Sequence, residues 1–301
     1  MRKNDKVSEF FGQQLWLDFT AHFKSETTEK SYAADVGEIM IFSGKDFREV
    51  RKRDVQEYFD SMQNKITQKV MKPGTVAKKF RELHSFAKYI CENKEKYHTD
   101  ESFEDFFYPY LKRLEKQKKF AKSVPVDHID QLLQAAQDDI RAYTLIIMLY
   151  RVGLTSTEII RLKPEDLAIY ENGMYVAVIG RRRLCYVPED AVKVLEKYLE
   201  QREDRTYLFY NSRGNQLNLM YISRLLEKLS RKAQIPKYSA ESIRNTCGVN
   251  LYAYGAQDSQ VATQLGVTRM QVRRYNNQIY KDQLQSAANK LVMIKVTPPG
   301  I

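Results

Sequence analysis

Between Ser8 and Glu95 apolar residues recur three and four positions apart in four stretches: SEFFGQQLWLDFTAHF, TEKSYAADVGEIMIFSG, RDVQEYFDSMQNKI and PGTVAKKFRELHSFAKYICE. That spacing puts the apolar residues of each stretch on one helical face, so residues 1–95 are expected to fold as a four-helix, all-α domain. Local signals agree. Thr27 or Thr28 can cap the second helix, Gly44 ends it, and Pro73-Gly74 breaks the chain before a helix that Thr75 can cap. Residues 96–124 pass from an acidic aromatic patch to a basic run and read as a linker with some helix. Its lysines Lys116, Lys118, Lys119 and Lys122 suit either a polyanion or open solvent.

A second domain is expected over 125–280. DHIDQLLQAAQ and DIRAYTLIIMLYRVG read as helices, after which the period falls to two. In MYVAVIGRRRLCYVP, Tyr175, Ala177 and Ile179 alternate with Val176 and Val178; Gly180 marks a turn and Leu184 to Val187 a return strand. Helices resume in EDAVKVLEKYLEQR, MYISRLLEKLSRKAQI and SAESIRNTCGVNLYAYGA. The expected fold is therefore mainly α, in two domains, with one small β-hairpin or sheet in the second. The tail, 281–301, reads as a short amphipathic helix and an apolar piece before Pro298-Pro299.

Composition sharpens the picture in two places. Lys and Arg number 49 against 38 Asp and Glu, a formal net charge of +11, which favours a polyanionic partner, double-stranded DNA first. Cys91, Cys185 and Cys247 are odd in number and widely spaced, so neither a disulfide framework nor a zinc site is indicated. No cofactor or metal is expected. No stretch has the length and apolarity of a signal peptide or a membrane span, so the expectation is a soluble cytoplasmic protein with no membrane partner.

LGVTRMQVRRY, Leu265 to Tyr275, admits two readings: a helix-turn-helix, or the last segment of a larger motif set. The other segments are GLTSTEIIRL (Gly153 to Leu162), IGRRRLCYVP (Ile179 to Pro188) and ESIRNTCGVNLYAYGA (Glu241 to Ala256). Together with an all-α domain, a basic linker and a helical domain broken by a hairpin, they resemble the tyrosine recombinase/integrase family. The first is similar to the family's GLR-x-x-E-L, with Thr155 at the first catalytic arginine and Glu158 kept. The second resembles its basic turn ending in Val-Pro, with Arg183 at the lysine position. The third resembles H-x-L-R-H-x-x-A-x-x-L-x-x-x-G-A. There Arg244 stands at the second arginine, while Glu241 and Asn245 replace two histidines. Leu265-Gly266-Val267 then fall on LGH, the nucleophile position falls on Asn276, and Tyr275 comes one residue early.

The resemblance implies a two-domain clamp on duplex DNA and, in the family, attack of a tyrosine oxygen on a phosphodiester within an arginine clamp. Losing one donor from such a clamp typically costs about 3 to 4 kcal/mol of barrier. An arginine at 183 is also a poor proton donor. With Thr155, Arg183, Glu241, Val267 and Tyr275 read as degenerate positions and only Arg244 retained, the expectation is a non-enzyme, a sequence-specific transcriptional regulator or repressor. It is similar to the recombinase-like lysogeny repressors of SPβ-type Bacillus phages. The rival expectation is a divergent, active recombinase using Arg244 with Tyr275 or Tyr280. An accessory protein beside a true recombinase is a third. Candidate DNA contacts are Arg181, Arg182, Arg183, Arg231, Lys232, Arg244, Arg269, Arg273 and Arg274, with Lys72, Lys78, Lys79 and Arg81 in the first domain. A homo-oligomer on DNA through the tail and an unidentified inducer or antirepressor complete the expected partners.

Overall fold

The computed structural model describes residues 3–114 and 120–275. The chain divides into two compact units, residues 1–118 and 119–301. The tail, Asn276 and Tyr280, and the lysines at 116, 118 and 119 lie outside the described residues.

In the first unit α1 (Lys3–Phe11) and α2 (Gln14–Thr20) share what periodicity reads as one helix. The chain breaks at Gly12, and Gln13 is extended. Next come α3 (Glu26–Ser43), α4 (Lys52–Thr67), α5 (Pro73–Glu92) and α6 (Tyr108–Leu114). Gly44 closes α3 at φ 73°, the left-handed conformation that a residue without Cβ adopts most cheaply. The start positions shift. Ser25 precedes α3, so Thr27 and Thr28 lie inside it, and Pro73 rather than Thr75 opens α5. The core is aromatic: Trp16 meets Phe86 edge to face at 5.4 Å, and Phe47 stacks on Phe107 at 5.7 Å. Phe103, Phe107, Tyr110 and Leu111, from the stretch read as a linker, are buried in that core.

The second unit holds α7 (Val126–Ala135), α8 (Ile140–Ile147), α9 (Ser156–Ile159), α10 (Glu189–Gln201), α11 (Tyr221–Lys232), α12 (Ala240–Ala253), α13 (Asp258–Leu265) and α14 (Arg269–Val272). A three-stranded antiparallel sheet, β1 (Leu167–Tyr170), β2 (Gly173–Val176) and β3 (Cys185–Val187), interrupts them in the order β1-β2-β3. β1 was not expected, because LAIY is too short to show a period. Val176 pairs with Cys185, so 177–184 is a connection and the expected strand over 177–179 does not form. A π-helical turn, Met148–Val152, follows α8 and packs against α12. α12, α13 and α14 enclose a small apolar cluster with Cys247, Val261, Leu265, Val272 and Tyr275. Among the described residues no helix is long and apolar enough to cross a membrane.

Candidate functional site

The quoted motifs converge in the second unit on the C-terminal end of α13. Thr155 caps α9. Its hydroxyl accepts from the Glu158 amide at 3.2 Å, while Glu158 Oε2 accepts from the Thr155 amide at 2.7 Å. The same carboxylate is held by Arg181, whose Nε and Nη2 donate to Oε1 and Oε2 at 2.7 and 2.6 Å. Burial alone would raise the Glu158 carboxyl; the Arg181 hydrogen bonds and the Thr155 amide outweigh it and hold it below the usual range. Arg181 donates further, to the Gln264 carbonyl at 2.8 Å. Position 155 thus carries no guanidinium, but the β2–β3 connection delivers one beside it.

Arg244, on α12, sits next to that group. It is 5% exposed. Its Nε donates to the Gly153 carbonyl at 2.9 Å and its Nη2 to the Leu265 carbonyl. Arg181 and Arg244 therefore bind consecutive carbonyls, 264 and 265, at a helix C-terminus, where backbone partial charge favours cations. The two glycines nearby are sterically required. A Cβ on Gly153 (φ +77°) would come 2.6 Å from Leu265 Cδ2, and one on Gly266 (φ +62°) 2.5 Å from Arg181 Nε.

The remaining positions differ in kind. Glu241 is half exposed, its carboxylate 3.7 Å from Arg244 Nη1 and 3.4 Å from Arg274 Nη2. Asn245 donates to the Lys122 carbonyl at 3.2 Å, and its Oδ1 is buried without a partner among the described residues. Val267 packs against the apolar cluster. Tyr275 is 1% exposed, on the same face as Val272, and its ring lies where a Cβ on Gly248 would be 3.0 Å away.

Among the basic candidates, Arg182, Arg183, Arg269 and Arg273 are exposed and make no ion pair with another described residue. Arg231 is exposed at the end of α11, and Lys232 beside it donates to the Ala135 carbonyl at 2.9 Å. In the first unit Lys72 and Arg81 are exposed, whereas Lys79 is fixed at 2.6 Å from both Asp35 and Glu38. Lys78 pairs with Glu82. Sequence reading missed Gln264. Its amide nitrogen donates to the Val152 and Tyr186 carbonyls at 2.9 and 2.8 Å, tying β3 to the turn before α9. A lone glutamine in a polar helix gives no signal of such a role. No cluster of acidic, His or Cys side chains among the described residues could hold a metal ion.

Comparison with known proteins bears on what this arrangement is. A family profile described as "Phage integrase family" matches residues 122–282, and one described as "Phage integrase, N-terminal SAM-like domain" matches residues 11–97. The chain belongs to the phage integrase family. A tyrosine recombinase of Thermosipho africanus (strain TCF52B) is 25% identical over 274 residues, 88% of this chain and 92% of that protein. The Tn1549 transposon integrase in complex with transposon right end DNA has the same fold, with TM-score 0.70 and 15% identity over 95% of this chain and 99% of that one. So does the XerH site-specific recombinase bound to palindromic difH substrate, with TM-score 0.67 and 18% identity over 89% and 80%. This phage integrase family chain therefore has the expected two-domain recombinase fold.

One expectation is overturned. The chain was expected not to be an enzyme, yet the relative that matches almost its whole length is named a tyrosine recombinase, an enzyme. That reading counted side chains at aligned positions, and such a count does not register the Arg181 guanidinium, which reaches the Thr155–Glu158 turn from another element. The expectation of a lysogeny repressor gains nothing from these names and rests on the substituted positions alone.

Proposed function

We propose that this phage integrase family protein recognises a specific site on double-stranded DNA and acts there as a site-specific recombinase. The observation that carries the reading is the match of residues 122–282 to the family, with Arg244 at its second arginine and buried beside a second guanidinium. In this chain Arg244 would hold the charge that develops on a phosphodiester under attack, with Arg181, bonded to Glu158 and the Gln264 carbonyl, bracing the site behind it. Exposed Arg182, Arg183, Arg269 and Arg273 would neutralise neighbouring phosphates. The nucleophile is Tyr275 after outward movement of α14, or Tyr280. A nicked suicide duplex carrying the protein's own site decides between them. A covalent adduct lost in Tyr275→Phe assigns one tyrosine and loss in Tyr280→Phe the other; no adduct with wild type on a tightly bound site sinks the reading.

A specific observation favours a second reading, a sequence-specific transcriptional regulator. Glu241 places a carboxylate 3.7 Å from Arg244, where an approaching phosphate would meet repulsion, and Val267 offers neither proton nor hydrogen bond. Occupancy at promoters without adduct supports it, and a single attachment-like site carrying adduct refutes it. Assembly of several copies on DNA through the tail, and release by an inducer, remain proposals for either reading.

A further inference from the structure

Arg244 commits Nε and Nη2 to backbone carbonyls, and its Nη1 lies 3.7 Å from Glu241 Oε2. Across from α12, Arg274 Nη2 lies 3.4 Å from Glu241 Oε1. One carboxylate thus spans two guanidiniums from different elements, the first 6% exposed and the second 44%. We infer that Glu241 is an internal stand-in for a DNA phosphate: it occupies a cationic seat formed by Arg244 and Arg274, and duplex DNA fills that seat by displacing it.

The chemistry of the two anions matches. A carboxylate and a phosphodiester each present two oxygens with one negative charge, and guanidinium groups pair with either. Glu241 lies one helical turn before Arg244 on α12, so holding it there requires no loop closure. The contact is loose enough to open. At 3.4 to 3.7 Å, with a half-exposed carboxylate, it belongs to the weak surface class of ion pairs. Ala121 N donates to the Arg274 carbonyl at 2.8 Å, which anchors the backbone that carries the second arginine. The seat is therefore preformed on both sides, and only the Glu241 side chain has to turn away.

The inference rests on the proposal that the protein binds duplex DNA, and the test separates the two. Binding of a labelled mixed-sequence duplex of about 30 base pairs is measured by anisotropy over a series of salt concentrations. Glu241→Gln keeps the shape and removes the charge. It is expected to tighten binding roughly fivefold, the gain from no longer having to open an exposed ion pair, with the log K against log salt slope changed by less than about 1, since the same phosphate is neutralised in both proteins. Glu200→Gln, at an exposed site on α10, makes the same net-charge change and is expected to shift affinity less than about twofold. In an Arg274→Ala background the effect of Glu241→Gln is expected to fall below about threefold, since half the seat is gone. Equal effects of Glu241→Gln and Glu200→Gln overturn the inference while leaving DNA binding intact, as does tightening that persists in full without Arg274. Failure of folded wild type and Glu241→Gln alike to bind any duplex overturns both readings together.

Discussion

Removing the Glu158 carboxylate should destabilise the second unit by about 3–5 kcal/mol. The Arg181–Glu158 pair is bidentate at 2.6 and 2.7 Å, with side chains 6% and 19% exposed. A contact of about 4 Å at an effective dielectric near 20 is worth about 4 kcal/mol before desolvation. Glu158→Ala leaves the guanidinium buried without its counter-ion, the case in which breaking a pair is most damaging. Urea unfolding followed by circular dichroism measures it; for a slope of about 2 kcal/mol per molar the midpoint falls by about 2 M. Trp16, the one tryptophan of the chain, lies in the first unit's core. Its fluorescence therefore reports on the first unit's core. The double variant Arg181→Met/Glu158→Leu removes both charges and is expected to recover most of the loss. The pH dependence has a fixed sign. The folded Glu158 carboxyl lies below its ordinary value of 4.5, so its stabilisation is complete above that value and is lost as pH falls through the lower, folded one. The stability gap between wild type and Glu158→Gln should close over that acid window. A loss under about 1 kcal/mol in Glu158→Ala, or a double variant equal to the sum of the singles, would refute the reasoning.

Four further outcomes follow from the geometry. Gly153→Ala should cost about 2–5 kcal/mol in the same unfolding assay, because it adds a Cβ 2.6 Å from Leu265 Cδ2 at φ +77°; a cost under about 1 kcal/mol contradicts the packing described. Lys79→Met removes a cation 13% exposed and 2.6 Å from two carboxylates. It should destabilise the first unit, read by Trp16 fluorescence, by about 3 kcal/mol while leaving the salt slope of duplex binding unchanged; a flatter slope would make Lys79 a phosphate contact after all. Arg182→Ala/Arg183→Ala should do the reverse, reducing the slope by about 1 per phosphate lost with no change in the unfolding midpoint. Cys185 is buried and burial pushes the Cys247 thiol up to about 12, so a thiol reagent should modify neither in the native state, and rapid labelling of either would refute their burial.

What the sequence made legible was periodicity and motif interval. α3, α4 and α5 appear where three-to-four spacing puts them, and Arg244, singled out by the resemblance of its segment to the family motif, falls in the polar hub. What it hid was anything decided by tertiary contact. Phe103 and Phe107 read as linker because an acidic patch surrounds them, yet they fill the first core. β1 is four residues long and forms only because β2 offers it a partner. Lys78 and Lys79 look like neighbours of Lys72 in a basic run, but Asp35, Glu38 and Glu82 from the facing helix and their own claim them. Arg181 could be read as basic; that its guanidinium would cross to Glu158 depends on the path of residues 177–184, which no spacing rule supplies.

The seven arginines around α12, α14 and the β2–β3 connection thereby fall into three states, which the whole chain's formal charge of +11 blurs. Arg181 and Arg244 are committed to carbonyls and, for Arg181, the partly buried Glu158 carboxylate, so their charge shapes the fold first and would reach a ligand only at its margin. Arg274 is held by a half-exposed carboxylate and can be released. Arg182, Arg183, Arg269 and Arg273 face outward with no ion pair to a described residue. A duplex approaching this surface would meet the third group first, since long-range attraction acts on exposed charge, and would reach the buried pair only after Glu241 yields. On the proposed reading affinity and chemistry would be governed by different arginines, so that substitution at positions 155 and 241 would bear on what happens to a phosphate and leave the exposed arginines in place.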